Sequence, residues 1–157
     1  MSQASIRAVR PDDKARLVKA FRGLDRGSVY LRFFSYKKAL EDEELRRVTE
    51  CDGASQAALV ATVGNGEQEI IVALGEYVRS GAGAQIAFAV EEDFQGRGIA
   101  SRLLRQLAGI ARANGITQFE ADVLAENAPM LAVLRNSKLR MRTRHQEGVV
   151  HATLFLG

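Results

Sequence analysis

The pattern of hydrophobic and polar positions divides the chain into a largely helical first third and a strand-rich remainder. Ile6-Arg7-Ala8-Val9-Arg10 alternates as a short strand, and Pro11-Asp12-Asp13 supplies turn and helix-start chemistry ahead of a helix over Lys14 to Leu24. Leu17, Val18, Phe21 and Leu24 recur at helical spacing and give that helix one apolar stripe, interrupted by Gly23 near its end. Ser28 is suited to cap a second short helix carrying Tyr30, Leu31, Phe33 and Phe34, and Glu41 to Thr49 forms a third, highly charged segment; together these are expected to form a lid. From Gln56 the character changes. Ala58 to Val63 and Glu69 to Arg79 are rich in residues suited to strands, with Gly64-Asn65-Gly66 between them as a hairpin turn. Ser80 to Gly83 makes another turn before a strand over Gln85 to Val90. Ile99, Leu103, Leu104, Leu107, Ile110 and Ala111 then mark a long amphipathic helix stopped by Gly115. Phe119 to Leu124 returns as a strand, Pro129 to Asn136 as a helix and Val149 to Leu156 as a final strand.

Composition narrows the class. A chain of 157 residues with 46% hydrophobic and 26% charged residues has the balance of one globular domain, and residues 1–157 show no internal repeat or linker. No apolar run approaches the roughly 18 residues that span a bilayer, and the first residues do not read as a secretory signal, so no membrane association and a cytoplasmic location are expected. Cys51 is the only cysteine, which excludes an internal disulfide and a thiolate cluster; His145 and His151 lack metal-ligand spacing, so no metal is expected. The net charge of +3 favours anionic ligands only mildly. Arg135, Lys138, Arg140, Arg142 and Arg144 form the densest basic stretch, but no aromatic residue interleaves for base stacking, and a solvated strand edge explains it better than nucleic-acid binding.

Ala84 to Asn114 is the most informative segment: a strand, a short acidic connection, the loop Gln95-Gly96-Arg97-Gly98, then the long helix beginning Ile99-Ala100-Ser101. Unsatisfied N–H groups at a helix start carry partial positive charge and suit a phosphate. Gly96 and Gly98 let a pyrophosphate approach the backbone, and Arg97 adds a cation beside it. A glycine pair alone is explained as well by a tight turn. A dinucleotide fingerprint is the sharper rival, with Ser101 at the third glycine's place and Glu120 roughly 20 residues on. Against it, the loop does not leave its strand directly, antiparallel-looking strands precede it, and too little chain follows.

Gln95 to Ala100 resembles the acetyl-coenzyme-A loop of the GNAT acetyltransferases, Gln/Arg-x-x-Gly-x-Gly/Ala, and the order of elements agrees from Ile6 to Leu156. Within that superfamily, Val29 to Phe34, Ala84 to Val90 and Glu126 to Leu131 are similar to the bacterial Pat-type protein lysine acetyltransferases. The resemblance implies an α/β (α+β) GNAT fold, a mixed, mostly antiparallel sheet of six to seven strands flanked by helices. It also implies that strand Gln85 to Val90 parts from Phe119 to Leu124 to leave a slot for the pantetheine arm of acetyl-CoA. Ala89 and Val90 would supply main-chain contacts, since pantetheine amides pair with a freed strand edge. Asn127 stands where the family turns a side-chain amide to the cofactor; on spacing alone it serves equally as a helix cap ahead of Pro129.

Acyl transfer from a thioester needs a neutral amine and a route for its proton. The chain departs from its relatives at that point. Pat enzymes carry a glutamate where this sequence has Gln85, and an amide accepts no proton at neutral pH. Leu134 stands where many GNAT enzymes have a tyrosine, and Lys138-Leu139 replaces the usual Gly-Phe. If Ser80 to Gly83 closes a regular hairpin, Val78 faces Gln85 and Glu76 faces Ala87, which puts Glu76 diagonal to Gln85 on one face. Glu76 is therefore the candidate surrogate base, with an exposed strand charge as its plain alternative; Glu91, Glu92 and Asp93 read as solvated surface. The expected activity is transfer of an acetyl or other acyl group to a primary amine, a small molecule or a protein lysine. A noncatalytic acyl-CoA binding module that has lost its glutamate is the alternative, and a homodimer is left open.

Overall fold

The computed structural model describes residues 4–23, 49, 52, 53, 55–91, 94 and 96–157. The helices expected after Ser28 and over Glu41 to Thr49, Thr49 itself excepted, lie outside the described residues, as do Tyr30, Phe33, Phe34, Cys51, Glu92, Asp93 and Gln95. The described residues form seven strands: β1 (Ser5–Ala8), β2 (Gln56–Val63), β3 (Ile70–Ser80), β4 (Gly83–Val90), β5 (Gln118–Leu124), β6 (Arg140–Gln146) and β7 (Val149–Phe155). With them stand helices α1 (Lys14–Gly23), α2 (Ile99–Ala113) and α3 (Ala128–Arg135).

The strands make one mixed sheet in the order β1-β2-β3-β4-β5-β7-β6, antiparallel except where β4 meets β5. Alternation of side chains divides the core between its two faces. On one, Leu17 of α1 packs with Ala58, Val60, Ile71 and Leu74. On the other, Leu103, Leu104 and Leu107 of α2 pack against Leu59, Phe88 and Phe119, with Leu134 of α3 in the same cluster. Each such fully buried leucine contributes roughly 1.5–3 kcal/mol relative to exposure.

Element boundaries differ from the sequence expectation for local reasons. β1 ends at Ala8 because the Arg10 N–H is taken at 2.7 Å by the Asp13 carboxylate, which turns the chain into a 3-10 turn at Pro11–Asp13. Gly64-Asn65-Gly66 is not a tight hairpin; the connection runs through a second 3-10 turn, Gly66–Gln68, closed by Gln68 N–H on the Asn65 carbonyl at 3.0 Å. That longer path delivers Glu69 to Arg7, whose guanidinium also holds Asp13 at 2.8 Å. Asp13 is wholly buried. Burial opposes its charge, but hydrogen bonds from Arg7, the Arg10 N–H and Arg16 outweigh that penalty and hold its carboxyl at about 2. Of the basic stretch, Arg140, Arg142 and Arg144 lie on edge strand β6, with Arg140 and Arg142 5.3 and 5.9 Å from the Phe155 ring centroid on β7, while Arg135 ends α3.

Candidate functional site

β4 and β5 pair over Gly83–Gln118, Ala84–Phe119 and Gln85–Glu120 and over no later residues. Beyond that point both continue, to Val90 and Leu124, each still laddered on its far side, so their facing edges diverge without bonds across the gap. Gly83 permits the tight start, where a Cβ would come within 2.9 Å of the Gln118 side chain. Gly75 of β3 shapes the wall: a Cβ there would meet the Phe88 ring at 2.9 Å, so the ring packs directly against the glycine.

The divergence opens a cleft of about 600 Å³. β4 lines one side from Ile86 to Val90, β5 the other with Ala121, Asp122 and Val123, and α3 closes it with Met130, Val133 and Leu134. Its far end is the start of α2, where Gly96, Gly98, Ile99, Ala100 and Ser101 reach the cleft. Gly98 is the N-cap with φ +79 and offers no side-chain cap, and the first turn carries no acidic residue. The Arg102 N–H is the one that returns to the Gly98 carbonyl, at 3.1 Å, so the N–H groups of Ile99 to Ser101 precede the helical ladder. Gly96 has φ +77, and a Cβ at Gly96 or Gly98 would meet no atom within 4 Å. Glycine is thus required by the left-handed backbone, and the amide edge stays open to an anion. The Arg97 guanidinium lies 5.0 Å from the ring centroid of Phe94, itself a cleft residue, which holds the cation at the rim.

Ala89, Val90, Gly96, Gly98, Ile99, Ala100, Ser101 and Asn127, all anticipated from sequence, converge on this cleft, with Arg97 beside it. Asn127 caps α3, its Oδ1 accepting the Met130 N–H at 3.3 Å, and the residue also lines the cleft. The hairpin register pairs Val78 with Gln85 and Glu76 with Ala87, as predicted. Gln85 is exposed at the closed end of the divergence. Glu76 is buried rather than an exposed strand charge, and it lies one strand behind Gln85 on the same face. Neither lines the cleft itself. Leu134 is fully buried in the wall, which leaves no phenol at that position. Lys138 takes φ +67, so the turn after α3 keeps the left-handed shape that glycine usually supplies.

Asp122 was missed by sequence reasoning. It lines the cleft, and its Oδ1 lies 2.5 Å from His151 Nδ1 on β7. Only the pairing of β5 with β7 reveals the contact, because 29 residues separate the two in sequence. Among the described residues no group of three or more His, Cys, Asp or Glu side chains is placed to hold a metal ion, and no helix is long and apolar enough to cross a membrane.

The parted parallel pair and the glycine-led start of α2 thus bound one continuous cleft. The Acetyltransferase (GNAT) family model matches residues 28–137, and the chain belongs to that family. The chain is 32% identical over 132 residues to Acetyltransferase Pat of Mycolicibacterium smegmatis, a match that takes in 82% of this chain and spans 39% of that relative's length. The GNAT domain of S. lividans PAT superposes with a TM-score of 0.89 at 32% identity, over 98% of this chain and 91% of that one. A more distant fold neighbour is yncA of Salmonella typhimurium, solved with its cofactor acetyl-CoA: TM-score 0.78, 17% identity, 99% and 95% of the two chains.

Proposed function

We propose that this chain binds acetyl-CoA in the β4–β5 cleft and transfers the acetyl group to a primary amine, with a protein lysine as the favoured acceptor. The observation that carries the reading is the continuity of the cleft from the parted strands to the amide groups of Ile99, Ala100 and Ser101. Coenzyme A matches each part. Its pyrophosphate suits the start of α2, with Arg97 as a cation beside it and Gln95 in the loop; its pantetheine amides suit the freed edge at Ala89 and Val90; the Asn127 amide donates to the arm. The thioester then lies toward the closed end, where Gln85 orients the incoming amine and Glu76 behind it supplies negative charge that draws an ammonium. The 32% identity to a Pat acetyltransferase supports a lysine acceptor over a small amine.

One observation favours a second reading, a noncatalytic acyl-CoA binding module: Gln85 and Leu134 stand where relatives would hold a base and a tyrosine. Release of the coenzyme A thiol separates the two. An acetyltransferase frees thiol from acetyl-CoA in proportion to added amine and labels the amine with acetyl; a binding module retains acetyl-CoA affinity and frees none.

A further inference from the structure

The sheet face that carries Gln85 also carries a second arrangement of ionisable groups. Gln85 and Glu120 are laterally paired, and side chains alternate along a strand, so Ala87 and Asp122, two residues further along each, share that face. Asp122 is directly opposite His151, and His151 directly opposite Arg144, so all three lie on the face as well. Three carboxylates are thus near Gln85: Glu76 on β3, Glu120 on β5 and Asp122 on β5. They differ in position and support. Glu76 is buried behind β4. Glu120 stands at the last paired position, where no gap has opened. Asp122 alone of the three lines the cleft, where the strands have parted.

It is also held. With Asp122 ionised, two lone pairs would repel at 2.5 Å, so Nδ1 of His151 must carry the proton and donate it to Oδ1. The second carboxylate oxygen remains as an acceptor on a residue that lines the cleft. Asp122 is half exposed and His151 a third, which admits a bridging water.

We infer that Asp122 is the proton acceptor of the transfer reaction, carried on β5 instead of β4, and that His151 is its positioning residue. The inference rests on the acetyltransferase reading above. The acceptor arrives as an ammonium. One proton passes from its nitrogen, directly or through one water, to the Asp122 carboxylate and then to solvent. The freed lone pair attacks the thioester carbonyl carbon, forming the C–N bond. The C–S bond then breaks, the sulfur leaves as thiolate, and a second proton from the nitrogen neutralises it. Glu120 on β5 stands outside the cleft at the last paired position, and Arg142 and Arg144 of β6 lie on the far side of His151.

The test uses the whole chain with acetyl-CoA and three acceptors: Nα-acetyl-lysine methylamide, spermidine and hydroxylamine, the last being largely unprotonated at neutral pH and needing no base. Asp122→Asn is expected to lower kcat with the two cationic amines about 10²-fold, leave the Kd for acetyl-CoA within twofold by calorimetry, and keep the hydroxylamine rate. His151→Leu is expected to lower the amine kcat about tenfold at unchanged KM, and His151→Asn, which keeps an N–H near the Nδ1 position, to restore most of it. Glu120→Gln is expected to stay within threefold of the unsubstituted protein.

Normal amine transfer by Asp122→Asn would overturn the assignment, as would loss of transfer in Glu120→Gln alone. Loss of acetyl-CoA affinity or of hydroxylamine transfer in Asp122→Asn would make Asp122 structural and equally overturn it. An unsubstituted chain that acetylates hydroxylamine but neither amine needs no base, which removes the dyad. One that binds acetyl-CoA and acetylates nothing defeats the acetyltransferase reading itself, an outcome distinct from failure of the Asp122 variants.

Discussion

Single residues decide how the α2 entrance is shaped and how tightly the turn after α3 is held. Gly98 and Lys138 make opposite use of the same left-handed region. At Gly98 the conformation is free of Cβ strain and exposes the amides of the next turn. At Lys138 it is adopted by a residue with a Cβ, at a cost of about 1–2 kcal/mol. Lys138→Gly is therefore expected to stabilise the protein by about 1 kcal/mol, raising the thermal midpoint by roughly 2–4 °C; calorimetry or a circular-dichroism melt checks it, and acetyl transfer should be unchanged. The glycine pair was legible in the sequence because its spacing before an amphipathic helix has few meanings. The left-handed lysine was not, because a side chain that tolerates strain leaves no mark in composition.

Between elements, one contact bears on stability and another on the shape of the cleft. The first ties β1, α1 and the start of β3 through Asp13. The folded protein holds this carboxyl at about 2, below its unfolded value of 3.8, so its contribution is complete above about pH 4 and disappears as pH falls through 2. The linked stability is about 2.5 kcal/mol. Glu69, lowered by its hydrogen bonds with Arg7, acts in the same direction. Urea unfolding between pH 5 and 2 should show that loss in the unsubstituted chain and a flatter profile in Asp13→Asn. The second contact is the Phe88 ring over Gly75. Gly75→Ala should push the ring into the cleft and weaken acetyl-CoA binding about tenfold, read by calorimetry, while Gly109→Ala on α2, where a Cβ meets nothing within 4 Å, should leave affinity unchanged.

These contacts also mark the limit of what patterning reveals. Strands β3 and β4 and their register followed from alternation and the Ser80 to Gly83 turn, because a regular hairpin leaves one pairing open. The Asp122–His151 pair depends on β5 lying beside β7, a neighbour relation fixed by sheet order and not by local sequence. Glu76 illustrates the same limit: its face was predictable, its burial was set by what packs around the strand.

Across the described molecule, opposite faces of one sheet are covered by α1 and by α2 with α3, and the cleft opens between β4 and β5. On the proposed function, binding and chemistry separate along the cleft: the α2 end takes the diphosphate, and the closed end, near Gln85 and the Asp122–His151 pair, takes the amine. The family relation covers the fold; the carboxylate on β5 is the proposal argued from this chain's own residues.

The central claim is that amides at the front of α2 grip the pyrophosphate of an acyl-CoA. Isothermal titration of acetyl-CoA into the unsubstituted protein and into Gly98→Val tests it most directly. Saturable 1:1 binding is predicted, weakened at least tenfold by the valine, whose left-handed backbone costs about 1–3 kcal/mol. No detectable binding by the unsubstituted protein, or equal affinity in the two, would contradict it.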